Sequence, residues 1–325
     1  MDKSRRDSSS GARGMLNQII NDADLSSLAE KCLPEFTEII KQQGIDAELQ
    51  SQLEKFYLPL ALWIAGKHAD TPLMFGINGA QGSGKSTLSQ ILQMLLVKCF
   101  AKSVVVLSID DFYLSRQSRI ELANQVHPLF KTRGVPGTHD VSLAKKTISS
   151  LVDGQFPIKI PVFDKATDDL LAVELWRTVD KPVDIILFEG WCVGAQAQSQ
   201  EDIAVVVNEL ERQEDLKCIW RNYINEQLKN AYRPLFNQID YLLMLKVPDM
   251  ASVQKWRSLQ EAKLARQCTK QRKPSALVMS EQQINRFIMH YERLTRAMLA
   301  EMPGRADVVM ELNKQHQIET IQFAS

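Results

Sequence analysis

Residues 79–86 read Gly-Ala-Gln-Gly-Ser-Gly-Lys-Ser, the spacing G-x-x-x-x-G-K-[ST]. Glycines at Gly79, Gly82 and Gly84 let the backbone fold back, so that its N–H groups converge on phosphate oxygens. Ala80, Gln81, Ser83 and Thr87 complete the cradle at the positive end of the helix that follows. Lys85 is spaced to reach β- and γ-phosphates, and the Ser86 hydroxyl to bind Mg²⁺. This is the chemistry of nucleoside triphosphate binding. It requires a strand that ends, and a helix that begins, at the loop. Residues 73–77, Leu-Met-Phe-Gly-Ile, read as a buried strand. From Thr87 onward Leu88, Ile91, Leu92, Leu95 and Leu96 fall on one helical face.

Acidic residues at the ends of other apolar runs extend the site. Residues 104–109 read as a second buried parallel strand that ends in Asp110 and Asp111. In a doubly wound sheet the carboxyl ends of the strands face the ligand crevice. One of these carboxylates can therefore accept a hydroxyl proton or support Mg²⁺, while a turn or helix-cap aspartate would account for the other. Residues 183–188 lead in the same way to Glu189, the Walker B pattern, in which the carboxylate orients Mg²⁺ or its water.

Between these strands, residues 127–140 are dense in Gly, Pro and charge, and Val141 opens a helix behind Asp140. Long irregular loops in compact domains tend to carry function. Arg133 offers a planar fork for a carboxylate or phosphate, and His139 a bond to a substrate hydroxyl. Either residue can equally serve a structural hydrogen bond. A second Pro-flanked segment ends in the charged pair Asp164 and Lys165. Further on, residues 253–273 form a base-rich helix placed where a phosphoryl-transfer enzyme needs a cationic lid. Arg257 and Arg266 are its leading candidates.

The bulk composition agrees with a nucleotide-using enzyme. The chain has 325 residues, 45% hydrophobic and 24% charged, with a net charge of zero. That balance gives no support to non-specific nucleic-acid binding. No apolar run approaches the ~20 residues that span a bilayer, so no membrane partner is expected. The five cysteines show no C-x-x-C pair and read as free thiols of a cytoplasmic protein.

Residues 1–14 are polar and expected to be disordered. Residues 15–70 read as a helical extension, with Leu28, Cys32 and Phe36 on one face and Pro59 bending or restarting its last helix. Residues 71–325 form the phosphate-loop domain. Residues 196–238 read as polar helix without a site. Residues 241–247 and 307–312 read as further strands, 280–302 as a core helix, and the loop 313–316 as a lining for the adenine base.

Taken together, Ser-Ile-Asp-Asp-Phe-Tyr at 108–113, Arg-Gly-x-Pro-Gly-Thr-His-Asp at 133–140, Pro-x-Phe-Asp-Lys at 161–165, Phe-Glu-Gly-Trp at 188–191 and Lys-Trp-Arg at 255–257 resemble the glycerate kinases of plants and fungi and their bacterial relatives. These belong with the P-loop kinases that include uridine kinase, phosphoribulokinase and bacterial pantothenate kinase. The resemblance covers residues 57–312. It implies an α/β P-loop NTPase fold with a mainly parallel central sheet flanked by helices. It also implies an ATP- and Mg²⁺-dependent kinase that phosphorylates a hydroxyl of a small metabolite, with D-glycerate leading. The Asp-Ser-Phe of the related kinases aligns its aspartate with Asp110, which makes Asp110 the expected base. Asp111, Tyr113, Arg133, His139, Asp164 and Lys165 are then the acceptor-side residues. One position departs from the family pattern. An arginine usually follows Phe-Asp-Lys by several residues, whereas this chain has Asp168-Asp169-Leu170 and no arginine until Arg177. A kinase for a pantothenate-like acid or a nucleoside is the alternative of the same kind, and a P-loop ATPase or switch the alternative of another kind.

Overall fold

The computed structural model describes residues 22–43, 51–270 and 279–324. The tail 1–14 lies outside them. Six strands build the central sheet: β1 (Leu73–Gly79), β2 (Val104–Ser108), β7 (Ile185–Gly190), β8 (Tyr241–Lys246), β9 (Val308–Leu312) and β10 (Ile318–Phe323). Their order is β10-β9-β8-β1-β7-β2. All pairings are parallel except that of β10 with β9.

Every residue of β1 and β7 is buried, as expected of continuous apolar runs covered by helices on both faces. Side chains alternate between two apolar layers. Phe75, Ile77, Ile185, Leu187 and Leu243 face α1 (Asp22–Gln42), α2 (Leu58–Lys67) and α3 (Lys85–Phe100). Met74, Ile186, Phe188, Leu242 and Met244 face the opposite layer, which includes α5 (Val141–Val152) and α8 (Glu281–Glu301). Three other helices bear on the site: α4 (Arg116–Gln125), α6 (Ile219–Gln227) and α7 (Met250–Lys270).

The residues before β1 share the sheet's core. Phe36 and Ile40 of α1 and Phe56 lie in one apolar cluster with Leu88, Leu92 and Leu95 of α3. A π-helical turn, Leu53–Tyr57, passes into α2, and Pro59 occupies that helix's first turn. An absent N–H costs nothing there.

The reading of all five cysteines as free thiols needs correction. Cys32 of α1 and Cys99 of α3 form a disulfide. The two helices pack side by side, and a pairing across 67 residues of sequence leaves no mark in local spacing. Cys192 and Cys218 are free. β10, which closes the sheet edge, also carries no sequence expectation: it is short and only partly buried.

Strand register positions the site. Ser108 of β2 pairs with Glu189 of β7, which pairs in turn with Ile77 of β1. The ends of β2, β7 and β1 therefore stand in a row, and the phosphate loop opens directly from the last. Small hairpins lie over this edge: β3 (Ile158–Ile160) with β6 (Arg177–Val179), and β4 (Phe163–Asp164) with β5 (Asp169–Leu170).

Candidate active site

The phosphate loop turns through Gly84 at φ 96°, a left-handed conformation costly to any residue with a Cβ. The chain then enters α3 with free amides at its N-terminus. Lys85 Nζ donates to the Ala80 carbonyl at 3.1 Å. Burial lowers its pKa, while Glu189 and Asp110 oppose the shift. The Ser86 hydroxyl donates to Glu189 Oε1 at 3.2 Å. Burial raises the Glu189 carboxyl, against the pull of Lys85. A hydroxyl and a carboxylate side by side at a phosphate loop fit Mg²⁺, which takes one or two protein oxygens and completes its shell with phosphate and water. Among the described residues no cluster of three His, Cys, Asp or Glu forms an all-protein cage.

A cavity of about 710 Å³ opens over the loop. Lys85, Ser86, Asp110, Lys165 and Glu189 line one end. Trp256, Lys255 and Lys263 of α7 line it too, with Lys314, Gln315 and His316 from the 313–316 loop. Trp256 and His316 stack at 4.1 Å and 16°. Gln43, Gln52 and Tyr57 reach the cavity from the N-terminal segment. Arg257 does not line it. Its guanidinium donates to Gln260 at 2.8 Å, pairs with Glu261 and lies over the Phe287 ring. Arg266 belongs to α7, but its side chain lies outside the described residues.

Asp110 sits in a single 3-10 turn after β2, whose first amides are capped by Ser108. Its Oδ1 accepts the Tyr113 hydroxyl at 2.7 Å, and its Oδ2 meets Lys165 Nζ at 2.7 Å. Burial pushes the carboxyl upward, but Lys165 and Tyr113 outweigh it and hold the group at about 2. Asp111 turns away to Arg177 at 3.7 Å. Burial lifts it to about 6 despite that arginine. Two adjacent carboxylates are thus driven apart in acidity, and Asp110 is the one that stays ionised.

The acceptor loop is locked from elements far away in sequence. Trp191 Nε1 donates to the Gly134 carbonyl at 2.8 Å, and the Tyr291 hydroxyl to the Arg133 carbonyl at 2.9 Å. The Tyr232 oxygen accepts the Gly137 amide at 2.9 Å and meets His139 Nδ1 at 2.6 Å. With that amide hydrogen already taken, the tyrosine donates its own proton to Nδ1, so the imidazole carries its hydrogen on Nε2. Nε2 is buried and has no partner among the described residues. Burial lowers His139 to about 4, with Asp110 opposing, so a neutral ring stacks on Tyr113 at 4.6 Å.

Arg133 pairs with Asp168 and lies over the Phe163 ring at 5.5 Å. Asp164 shapes its own turn by accepting the Ala166 amide and the Thr167 hydroxyl, each at 2.9 Å. The fold thus gathers Lys85, Ser86, Asp110, Lys165 and Glu189 at one cavity. Tyr113, His139 and Arg133 form the adjoining wall. Tyr232, Trp191, Tyr291, Asp168 and Arg119 carry no motif as acceptor-loop supports, and Tyr232 comes from a segment read as having no site. Only its aromatic type in a polar helix could have drawn notice.

No protein-family model matches the chain. Over 229 residues it is 33% identical to the uncharacterized kinase mug58 of Schizosaccharomyces pombe, covering 68% of this chain and 78% of that protein. It is 28% identical over 282 residues to the chloroplastic D-glycerate 3-kinase of Arabidopsis thaliana, covering 79% of this chain and 58% of the plant protein. In fold it matches a D-glycerate 3-kinase from Cryptococcus neoformans with a TM-score of 0.66 at 24% identity, over 86% of this chain and all of that one. Among the described residues no helix is long and apolar enough to cross a membrane. The phosphate loop, its sheet and the relation to the yeast kinase agree: the chain is a phosphotransferase with an alcohol group as acceptor and belongs to the glycerate-kinase-like family of P-loop kinases.

Proposed function

We propose that the chain transfers the γ-phosphoryl group of ATP to a hydroxyl of D-glycerate. The observation that carries this reading is the ionised Asp110 carboxylate at the cavity of the phosphate loop, with Lys165 beside it and the Arg133 guanidinium and His139 ring on the adjoining wall. The glycerate kinases among its relatives support the choice of acid.

Lys85 and the amides of residues 79–87 hold the β- and γ-phosphates. Ser86 and Glu189 are the residues that would hold Mg²⁺, whose contribution when bound is to neutralise charge on those phosphates. Arg133 takes the acceptor's carboxylate as a planar fork, and His139 Nε2–H donates to an acceptor oxygen. Asp110 receives the proton of the attacking hydroxyl. A carboxylate held near 2 is a weak base. It suffices because, in a loose transition state, the hydroxyl becomes acidic only as its bond to phosphorus forms. Lys165 is 62% exposed, so its ammonium can swing from the carboxylate to admit the hydroxyl.

The test is ADP release by the purified protein with Mg-ATP against D-glycerate, pantothenate, uridine and ribulose 5-phosphate. Stimulation by D-glycerate alone is expected. Stimulation by another acceptor alone would replace the substrate, and steady release independent of any acceptor would make the protein an ATPase.

A further inference from the structure

We propose that Asp168 is a positioning residue for the acceptor. It holds the Arg133 guanidinium so that one edge, Nε and Nη2, stays open to grip a carboxylate with two parallel bonds. The inference rests on the reading of Arg133 as the acceptor's carboxylate site.

Asp168 lies in the turn between β4 and β5 at φ 59°, a left-handed conformation that aspartate and asparagine adopt more readily than most residues. Its two carboxylate oxygens serve two arginines. One pairs with Arg133 Nη1, and the other lies 2.9 Å from Arg119 Nη2. Arg119 also donates from Nη2 to the Asp168 carbonyl at 2.7 Å. It is 1% exposed, and its remaining donors meet neutral carbonyls, those of Leu114 at 3.2 Å and Lys131 at 2.9 Å. A buried guanidinium needs a counter-charge. Among the described residues Asp168 is the carboxylate that supplies it, and this fixes Asp168 from beneath.

The anchored carboxylate then clamps Arg133 at a single nitrogen. The Phe163 ring supports the same guanidinium at 5.5 Å and faces Arg119 at 6.0 Å. Among the described residues Nε and Nη2 of Arg133 have no hydrogen-bond partner. Bidentate binding of a carboxylate depends on the fork's orientation as well as its charge. One carboxylate between two guanidiniums leaves a single net positive charge, which matches a monoanionic acid.

The experiment is steady-state kinetics with D-glycerate at saturating Mg-ATP for Asp168→Ala, Asp168→Asn and Arg133→Ala, with melting curves for each. Asp168→Ala is expected to raise the D-glycerate KM about tenfold, with kcat within about threefold and the ATP KM unchanged. Asp168→Asn keeps an acceptor oxygen and the left-handed turn, and its KM should lie between wild type and the alanine variant. A D-glycerate KM for Asp168→Ala equal to or below wild type overturns the proposal. If that variant does not fold, Asp168→Asn decides: a raised KM sustains the proposal and an unchanged or lower one overturns it. Arg133→Ala separates the two levels, because an unchanged KM there removes Arg133 from carboxylate binding whatever Asp168 does.

Discussion

The Lys165 ammonium lies 2.7 Å from the Asp110 carboxylate and, with Tyr113, reverses the effect that burial alone would have on it. Burial would raise the aspartate; its partners instead hold it at about 2. A carboxylate with a lowered pKa is ionised above that value, and the activity that needs the ionised form is lost only as pH falls through it.

Lys165→Met should therefore move the acid limb of the kcat/KM profile upward by about one unit or more, because desolvation then acts against weaker opposition. Asp110→Asn should keep nucleotide affinity and lose about 10²–10⁴ in kcat. The pH–rate profile and nucleotide titration calorimetry check the pair. An unmoved acid limb would mean that Lys165 does not set the acidity of the working group.

Glu189→Gln should raise the Mg²⁺ concentration needed for half-maximal rate by about 10–100-fold, since a carboxylate bonded to the Ser86 hydroxyl at 3.2 Å is replaced by a neutral amide. Titrating Mg²⁺ at fixed ATP measures it. An unchanged requirement would assign Glu189 to another task.

Gly134→Ala should destabilise the protein by about 3 kcal/mol. Gly134 has φ 127°, and a Cβ there would stand 2.0 Å from the Tyr291 hydroxyl. That hydroxyl holds the Arg133 carbonyl, so the KM for the acceptor should rise along with the loss in melting temperature. Denaturant unfolding and acceptor kinetics on one preparation test both effects.

His139 makes stability depend on pH. Burial lowers it to about 4 from its ordinary value of 6.5. Between those values the unfolded chain binds the proton more readily than the folded one. The contribution of the neutral ring is complete above pH 6.5 and lost as pH falls toward 4, at most about 3 kcal/mol. Unfolding of wild type and His139→Gln at pH 4.5 and 7 should show a smaller difference between the two pH values in the variant. Equal pH dependence would mean that the ring protonates freely in the fold.

Nucleotide chemistry was legible because it resides in eight consecutive residues, and the strand and helix flanking them announce themselves by period and run length. Asp110 and Glu189 were legible for a related reason: each closes an apolar run, and the ends of parallel strands share one edge. The lid was less legible. Base density marked residues 253–273, but it could not tell Lys255 and Lys263, which line the cavity, from Arg257, which lies over Phe287.

The sequence by itself determined the phosphate loop, the α/β class and the acidic strand ends, because each follows from residues adjacent in the chain or from local hydrophobic period. Only the tertiary structure decided that β1 lies between β7 and β8, that Cys32 meets Cys99, that Tyr232 sets the His139 tautomer and that Asp168 joins Arg119 to Arg133. Each of these contacts joins side chains distant in sequence. Which distant pairs meet is set by how the helices and strands pack around the shared core, and local pattern carries no record of that packing.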